Sequence, residues 1–210
     1  MSRYNWSRKN IFNKNVSYKT KNNIYSFEFG EQKTEQLSTN GIENIITDFT
    51  ISNGEQVRCN FYDTNGTNRA RPAIEPIYKK ADGFLIVYDI TNELSFKEIE
   101  YYFIPTIEEK CKENIPIIIV GNKTDKNEIR KISVTQGEEL ALNHHYLYKE
   151  TSSIDNSNIS DIFRIIIENS YLKKKGSIND DNNLIQLNRN YSLNNIDDII
   201  VERKCFRCCK

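Results

Sequence analysis

The chain has 210 residues, and its 29 acidic side chains balance its 29 basic ones. This length allows one sizeable domain with an appendage, and the balanced charge excludes a strongly basic nucleic-acid-binding class. The beginning of the chain lacks the apolar core of a secretory signal, no apolar run is long enough to span a bilayer, and the five cysteines are an odd number, so we expect a protein that is not secreted.

Taken in chain order, residues 1–36 are polar and weakly periodic, with one short strand candidate over 9–12. From residue 42 onward, apolar runs alternate with amphipathic stretches, and Asn53-Gly54 predicts a hairpin turn. The predicted strands are 42–52, 56–62, 83–89, 115–120 and 146–150, and the predicted helices are 72–80, 95–113, 134–143 and 159–172. Strands that alternate with helices predict an α/β fold with a mostly parallel, doubly wound sheet flanked by helices.

The most informative motif is Asn122-Lys123-Thr124-Asp125, which directly follows an apolar strand candidate. Polar side chains at the carboxyl end of a buried parallel strand lie where α/β sheets bind ligands. A carboxylate such as Asp125 accepts both the N1–H and the N2–H₂ donors of guanine, whereas adenine offers an acceptor at N1. A site built on such a pair rejects the wrong base by roughly 10⁴-fold. The same four residue types are also common in turns, so the motif alone is equally consistent with a loop that binds nothing.

Two further polar segments occur in a matching order. Glu150-Thr151-Ser152-Ser153 begins 25 residues after Asp125, and Asp63-Thr64-Asn65-Gly66 follows an alternating strand candidate upstream. Between them, the segment 84–96 reads Phe-Leu-Ile-Val-Tyr-Asp-Ile-Thr-Asn-Glu-Leu-Ser-Phe. With these segments in this order, the chain resembles the Ras superfamily, and more closely the Rab family of membrane-traffic GTPases, over roughly residues 37–170.

The resemblance implies a Ras-type P-loop NTPase fold with a six-stranded sheet, and GTP or GDP with Mg²⁺ as ligands. The residues that it assigns to guanine binding are Asn122, Lys123, Asp125, Ser152 and Ser153. Lys123 would cover a face of the base with its stem, and a backbone N–H near Ser152 or Ser153 would reach guanine O6. The family usually has Ala where this chain has Ser153, which is a small change because that contact is made by the backbone.

The phosphate-binding part departs from the family. The sequence has no Gly-x-x-x-x-Gly-Lys-Ser/Thr, and family spacing places Lys19 and Thr20, at the end of segment 13–20, where the phosphate loop belongs. The resemblance assigns Mg²⁺ to Thr20, Thr39 and Asp63, and contact with the γ-phosphate to Gly66. Thr67 replaces the glutamine that orients the attacking water, and its hydroxyl is too short to span the same distance. We therefore expect weak or no GTP hydrolysis, so whether the chain is an enzyme stays open.

The last residues carry a second motif, because the chain ends in Cys208-Cys209-Lys210. Rab proteins end in such paired cysteines, which receive two geranylgeranyl groups. One lipid gives marginal membrane residence and two give stable anchoring. The alternatives are exposed free thiols and metal binding, and three cysteines without a neighbouring histidine make a poor zinc site. The resemblance thus implies a protein anchored to the cytoplasmic face of a membrane, with prenylation and escort machinery and effector proteins as partners, and no nucleic acid.

The sequence therefore predicts a GTPase-like domain over 1–172 with a degenerate beginning, and a flexible hypervariable tail over 173–210. One hypothesis is a guanine-nucleotide-binding protein of vesicle traffic. The alternative is a pseudo-GTPase, a lipid-anchored interaction scaffold that works without nucleotide. A kinase or another ATPase with the same sheet fits poorly, because Asp125 disfavours adenine. His144 and His145 are expected to be structural, and Cys59 and Cys111 to be small buried hydrophobes.

Overall fold

The structure, a computed structural model, describes residues 16–21, 24–29, 42–64, 71–111 and 115–176. For the first two of these ranges and for 42–43, it describes the backbone alone. Several predicted features lie outside the described residues: the strand candidate 9–12, Thr39, Gly66, Thr67, and nearly all of the tail with Cys208 and Cys209.

Seven strands form three separate sheets within these ranges. The strands are β1 (Val16–Lys21), β2 (Ile24–Phe29), β3 (Ile42–Thr50), β4 (Gln56–Thr64), β5 (Phe84–Asp89), β6 (Ile117–Asn122) and β7 (Leu147–Thr151). β1 pairs with β2 and β3 with β4, both antiparallel, and β5, β6 and β7 form a parallel sheet in that order. The predicted turn at Asn53-Gly54 is confirmed, since Gly54 adopts a φ of 84° between β3 and β4.

The helices follow the predicted order. They are α1 (Arg71–Tyr78), α2 (Glu93–Glu98), α3 (Ile104–Lys110), α4 (Val134–Asn143) and α5 (Ile159–Lys174). α4 begins with a capping box, in which Ser133 and Gln136 each accept a hydrogen bond from the other's backbone N–H. α5 ends at Lys174, and Gly176, just beyond its C-cap, has a φ of 70° and donates its N–H to the carbonyl of Lys173 at 3.0 Å. None of the helices in the described ranges is long and apolar enough to cross a membrane.

The core is built around β6, in which every residue is buried. Alternate side chains of a strand point to opposite faces, so β6 supplies both sides of the sheet. Ile119 packs with residues of α3 such as Ile104, while Ile118 and Val120 pack against Ile162 and neighbouring residues of α5. Helices on both faces of a parallel sheet are the arrangement that the alternating sequence pattern predicted.

The β3–β4 hairpin also packs against α5. Phe61 meets Phe163 edge-on, with ring centroids 5.5 Å apart. At the turn, the buried carboxylate of Glu168 accepts a hydrogen bond from the Ser52 backbone N–H at 2.9 Å and another from the Ser52 hydroxyl. These contacts fix the hairpin on α5, although the hairpin and the parallel sheet share no ladder.

The predicted helix over 95–113 is one helical run from 93 to 110, interrupted by a π-helical turn at Ile99–Phe103. The N–H of Ile104 reaches back five residues to the carbonyl of Ile99. Pro105 follows at once, and because it has no N–H, the carbonyl four residues before it loses its α-helical partner. Within this turn, the Tyr102 ring lies 3.4 Å below the guanidinium carbon of Arg71, which ties α1 to the helical run.

Three expectations need correction. A single six-stranded sheet does not appear among the described strands, because the parallel part has three strands and the hairpins stand apart. The loop predicted over 13–20 is wrong from residue 16 onward, where the backbone forms β1. Cys59 and Cys111 are only partly buried, though desolvation raises the pKa of each thiol to about 11.

Candidate guanine-binding site

The site lies where the three parallel strands end. Asp89 of β5 pairs in register with Asn122 of β6, and Asn122 pairs with Thr151 of β7. The carboxyl ends of the strands therefore bring three short polar segments to one edge: 89–91, 122–125 and 150–155. The sequence predicted two of these segments as base-reading loops, and the structure brings all five predicted guanine-binding residues to this edge.

Asn122 joins the two predicted loops. Its side chain is buried, with 5% of the residue exposed. The carboxamide Nδ2 donates to the hydroxyl of Ser153 at 3.1 Å, and its Oδ1 accepts from the hydroxyls of Thr151 and Ser153, each at 3.2 Å. Asn122 therefore uses its hydrogen bonds to brace the loop after β7, and its role is to position that loop.

Lys123 changes the direction of the chain after β6. Its φ of 75° is in the left-handed region, which a residue with a Cβ adopts at a cost of about 1 kcal/mol. This bend starts a short 3₁₀ turn, Thr124–Ile129, which carries Asp125. The ammonium of Lys123 donates a hydrogen bond to the carboxylate of Asp89 at 2.6 Å, and the two side chains form an ion pair.

Asp89 is held as a carboxylate by several donors. Besides Lys123, it accepts from the N–H and the hydroxyl of Thr91, at 2.9 and 2.7 Å. Burial alone would raise the pKa of Asp89, but the hydrogen bonds from Lys123 and Thr91 outweigh burial, and its pKa lies below the ordinary value. Asp89 is therefore a carboxylate at neutral pH.

Asp125 is the exposed carboxylate of the group. One oxygen, Oδ1, accepts from the hydroxyl of the fully buried Ser152 at 2.8 Å. The same Ser152 oxygen accepts from the N–H groups of Ile154 and Asp155, at 3.2 and 3.3 Å, which fixes its position. Asp125 is thus aimed by the neighbouring loop, and it keeps the acceptor capacity that the N1–H and N2–H₂ of guanine require.

Sequence reasoning missed a supporting layer behind these loops. Arg130 follows the 3₁₀ turn and holds Glu150 by two hydrogen bonds, at 2.6 and 2.8 Å. Glu150 also accepts from the hydroxyl of Tyr148 at 2.8 Å, and that hydroxyl lies 2.9 Å from the hydroxyl of Tyr88. Burial raises the pKa of Tyr148, so it remains a neutral donor. A two-pronged arginine–carboxylate pair is directional, and this one fixes the 3₁₀ turn against the end of β7.

The predicted phosphate and Mg²⁺ residues do not form a comparable group. Lys19 and Thr20 pair with Ser26 and Tyr25 in the β1–β2 ladder. Successive N–H groups of an antiparallel strand point to opposite edges, so they do not converge on an anion as the N–H groups of a phosphate loop do. Asp63 lies in β4, and no cluster of three or more acidic, histidine or cysteine side chains that could hold a metal occurs in the described ranges. The described backbone of β1 thus does not have the form of the family's phosphate loop.

The described side-chain contacts of His144 are structural. His144 Nδ1 lies 2.9 Å from the carboxylate of Glu108, which also accepts from Tyr146 at 2.9 Å. These contacts tie α3 to the start of β7, at the end of the sheet opposite to the base-reading segments.

Comparison with known proteins identifies the family of this chain. The model of the Ras family matches residues 20–172. Ras-related protein Rab-8B of Homo sapiens is 34% identical over 158 residues, which cover 74% of this chain and 75% of that protein. Ras-related protein Rab-11A of Dictyostelium discoideum is 32% identical over 152 residues, covering 72% and 70%. Ras-related protein Rab-8A of Mus musculus is 36% identical over 139 residues, covering 65% and 66%. The chain therefore belongs to the Ras family, as a Rab-like protein with the α/β Ras-type fold that its sequence predicts.

Proposed function

We propose that this chain is a Rab-like guanine-nucleotide-binding protein of intracellular membrane traffic that hydrolyses GTP slowly or not at all. The observation that carries the proposal is the hydrogen-bonded group in which Ser152 aims Asp125 and Ser153 braces Asn122. These bonds exist within the protein itself, so the base-reading geometry is organised before any ligand arrives. The resemblance to proteins named Rab supports the assignment to traffic.

Slow hydrolysis follows from the proposed role of residue 67. GTP hydrolysis in this family needs a side chain that orients the attacking water, and Thr67 is shorter than the glutamine it replaces. We expect a single-turnover assay, with protein in excess over GTP, to give no hydrolysis above that of buffer. Thr67→Gln should not restore a normal rate, because the phosphate-holding loop is also altered. A normal family rate in the unmodified chain would contradict this prediction.

A second candidate function is the nucleotide-independent scaffold. It is favoured by one observation, the strand β1 where the phosphate loop was expected. Under this alternative, effector proteins recognise a fixed conformation, and the base-reading residues have only structural roles. The two candidates differ in one measurable quantity, the affinity for guanine nucleotides.

We propose the same membrane attachment for both candidates. Cys208 and Cys209 would carry geranylgeranyl groups added by the prenylation and escort machinery, and Lys204, Arg207 and Lys210 would add attraction to anionic lipid. The domain would comprise residues 1–172 and the tail 173–210, although α5 continues to Lys174. This arrangement would put the domain on the cytoplasmic face of a membrane.

The direct test is equilibrium binding of GTP and GDP to the purified full-length chain, with ATP as the matched control. The proposal expects binding of both guanine nucleotides and an ATP affinity weaker by at least about 100-fold. Absence of guanine-nucleotide binding at millimolar concentration would reject the first candidate and leave the scaffold. Equal binding of ATP would reject the base-reading assignment altogether.

A further inference from the structure

We propose that this chain recognises its ligand through the guanine base alone, so that guanosine, GMP, GDP and GTP bind with nearly equal affinity and without a requirement for Mg²⁺. The inference rests on the proposed guanine site, and it goes beyond that site because it defines the ligand class. The class is any guanine nucleoside or nucleotide, regardless of its phosphates.

The first support is that the base-reading group is complete in itself. The described side-chain hydrogen bonds of Asn122, Lys123 and Asp125 are made with the segments 89–91 and 151–153. The layer behind them, from Arg130 to Glu150, also joins only segments at this sheet edge. The orientation of Asp125 therefore does not depend on a bound phosphate.

The second support is the charge of the group. Both of its hydrogen-bonded cations are already neutralised, Lys123 by Asp89 at 2.6 Å and Arg130 by Glu150 at 2.6 Å. Asp125 adds a carboxylate whose described partner is a neutral hydroxyl, and Asp155 adds another. The segments 89–91, 122–125 and 150–155 together with Arg130 therefore carry two more negative charges than positive. A net negative edge attracts the donors of a base and gives no electrostatic advantage to a ligand with more phosphates.

The third support is the backbone before residue 30. The first glycine of the sequence is Gly30, so residues 1–29 contain none of the glycines that allow backbone N–H groups to approach a phosphate closely. Over Val16–Lys21, the backbone forms the β1 ladder. The framing glycines are thus absent from the sequence, and over Val16–Lys21 a strand lies where family spacing places the second half of the phosphate loop.

A ligand held by its base alone binds modestly. A base of this size makes few contacts, so we expect dissociation constants of about 10 μM to 1 mM. These values are well above those expected for a site that also binds the phosphates. This range is accessible to ligand-observed NMR and calorimetry.

The test is a titration of the full-length chain with guanosine, GMP, GDP and GTP, each with Mg²⁺ and again with EDTA, and with adenosine as control. The expected result is four guanine dissociation constants within about threefold of one another, unchanged by EDTA, and no adenosine binding in the same range. The variant Asp125→Ala should weaken all four ligands by the same factor, whereas Glu128→Ala, an exposed carboxylate of the same 3₁₀ turn, should change none.

The possible results distinguish base-only recognition from the proposed guanine-binding function. GDP and GTP affinities more than about 100-fold above that of guanosine, lost with EDTA, would overturn this inference and leave the proposed guanine-binding function standing. The inference would also be overturned if Asp125→Ala weakened the binding of guanosine but left the affinity for GTP unchanged. Failure of all four guanine ligands to bind, or equal binding of adenosine, would overturn both.

Discussion

Ser153 shows how one residue changes the site at the smallest scale. The family usually has alanine at this position, and alanine cannot make the two hydrogen bonds that the Ser153 hydroxyl shares with Asn122. From the sequence, this difference counts as minor, because the expected guanine contact is made by the backbone. The structure instead gives the hydroxyl a positioning role, since it holds a buried carboxamide between the two loops.

We therefore predict that Ser153→Ala weakens guanosine binding by about fivefold, which corresponds to about 1 kcal/mol for a hydrogen bond. Calorimetry on the full-length chain measures this directly. Ser157→Ala is the matched control, because Ser157 lies in the same loop and bonds only with Asp155 and the Ser152 backbone in the described contacts. If both variants bind guanosine like the unmodified chain, Ser153 does not position the site.

The residues proposed to read the base could be identified from sequence, whereas the residues that hold them in place could not. Asn122 and Asp125 stand in a motif whose chemistry matches guanine. The pairing of Lys123 with Asp89 spans 34 positions, and that of Arg130 with Glu150 spans 20. No local sequence pattern predicts such pairs, because they depend on how the strand ends meet in three dimensions.

At the scale of elements, Gly137 of α4 lies in close contact with Tyr148 of β7. A glycine inside a helix normally costs about 1 kcal/mol relative to alanine, so the sequence gives no reason for it. A Cβ at Gly137 would overlap ring carbons of Tyr148 and come within 2.6 Å of its hydroxyl. That hydroxyl bonds Glu150, so the glycine allows a helix to lie against the layer that supports the site.

We predict that Gly137→Ala lowers the free energy of unfolding by about 1–3 kcal/mol, although the same change in an open helix would raise it. Denaturant unfolding measures the effect, and Thr135→Ala on the exposed side of α4 is the control. In a Tyr148→Ala background, the penalty of Gly137→Ala should disappear, because the overlapping ring is gone. A stabilising Gly137→Ala in the unmodified chain would show that α4 does not pack on Tyr148.

Element prediction succeeded where periodicity was strong and failed where it was weak. α4 has its predicted bounds, and the strand pattern from 42 to 64 gave the β3–β4 hairpin and its turn. The stretch from 16 to 29 has polar residues throughout, and it was interpreted through family spacing rather than through its own pattern. Its alternating residues form the β1–β2 hairpin. The π-helical turn at 99–103 was not predicted, although Pro105 could have indicated an interruption.

At the scale of the whole molecule, the proposal places a base-reading domain on a membrane. The two cysteines Cys208 and Cys209 are its proposed anchor points, and stable residence requires both lipids.

We predict that the full-length chain, expressed in a eukaryotic cell, carries two geranylgeranyl groups by intact mass and sediments with membranes. Cys208→Ser should leave one lipid and release most of the protein, because a single chain anchors only marginally. Cys205→Ser is the control and should remain on membranes. A protein with an unmodified mass in the membrane fraction would contradict the lipid-anchor proposal.

The most direct measurement of the central claim is a change of ligand preference in Asp125→Asn. Guanine presents two donors to the Asp125 carboxylate, whereas xanthine replaces the exocyclic amine with a carbonyl that an asparagine N–H can bond. The account predicts that Asp125→Asn lowers the affinity for guanosine by about 100-fold and raises the affinity for xanthosine. Glu128→Gln, which removes a carboxylate from the same turn, should leave the affinity for guanosine unchanged. If Asp125→Asn still prefers guanosine over xanthosine, the edge formed by 122–125 and 151–153 does not read guanine, and the account is wrong.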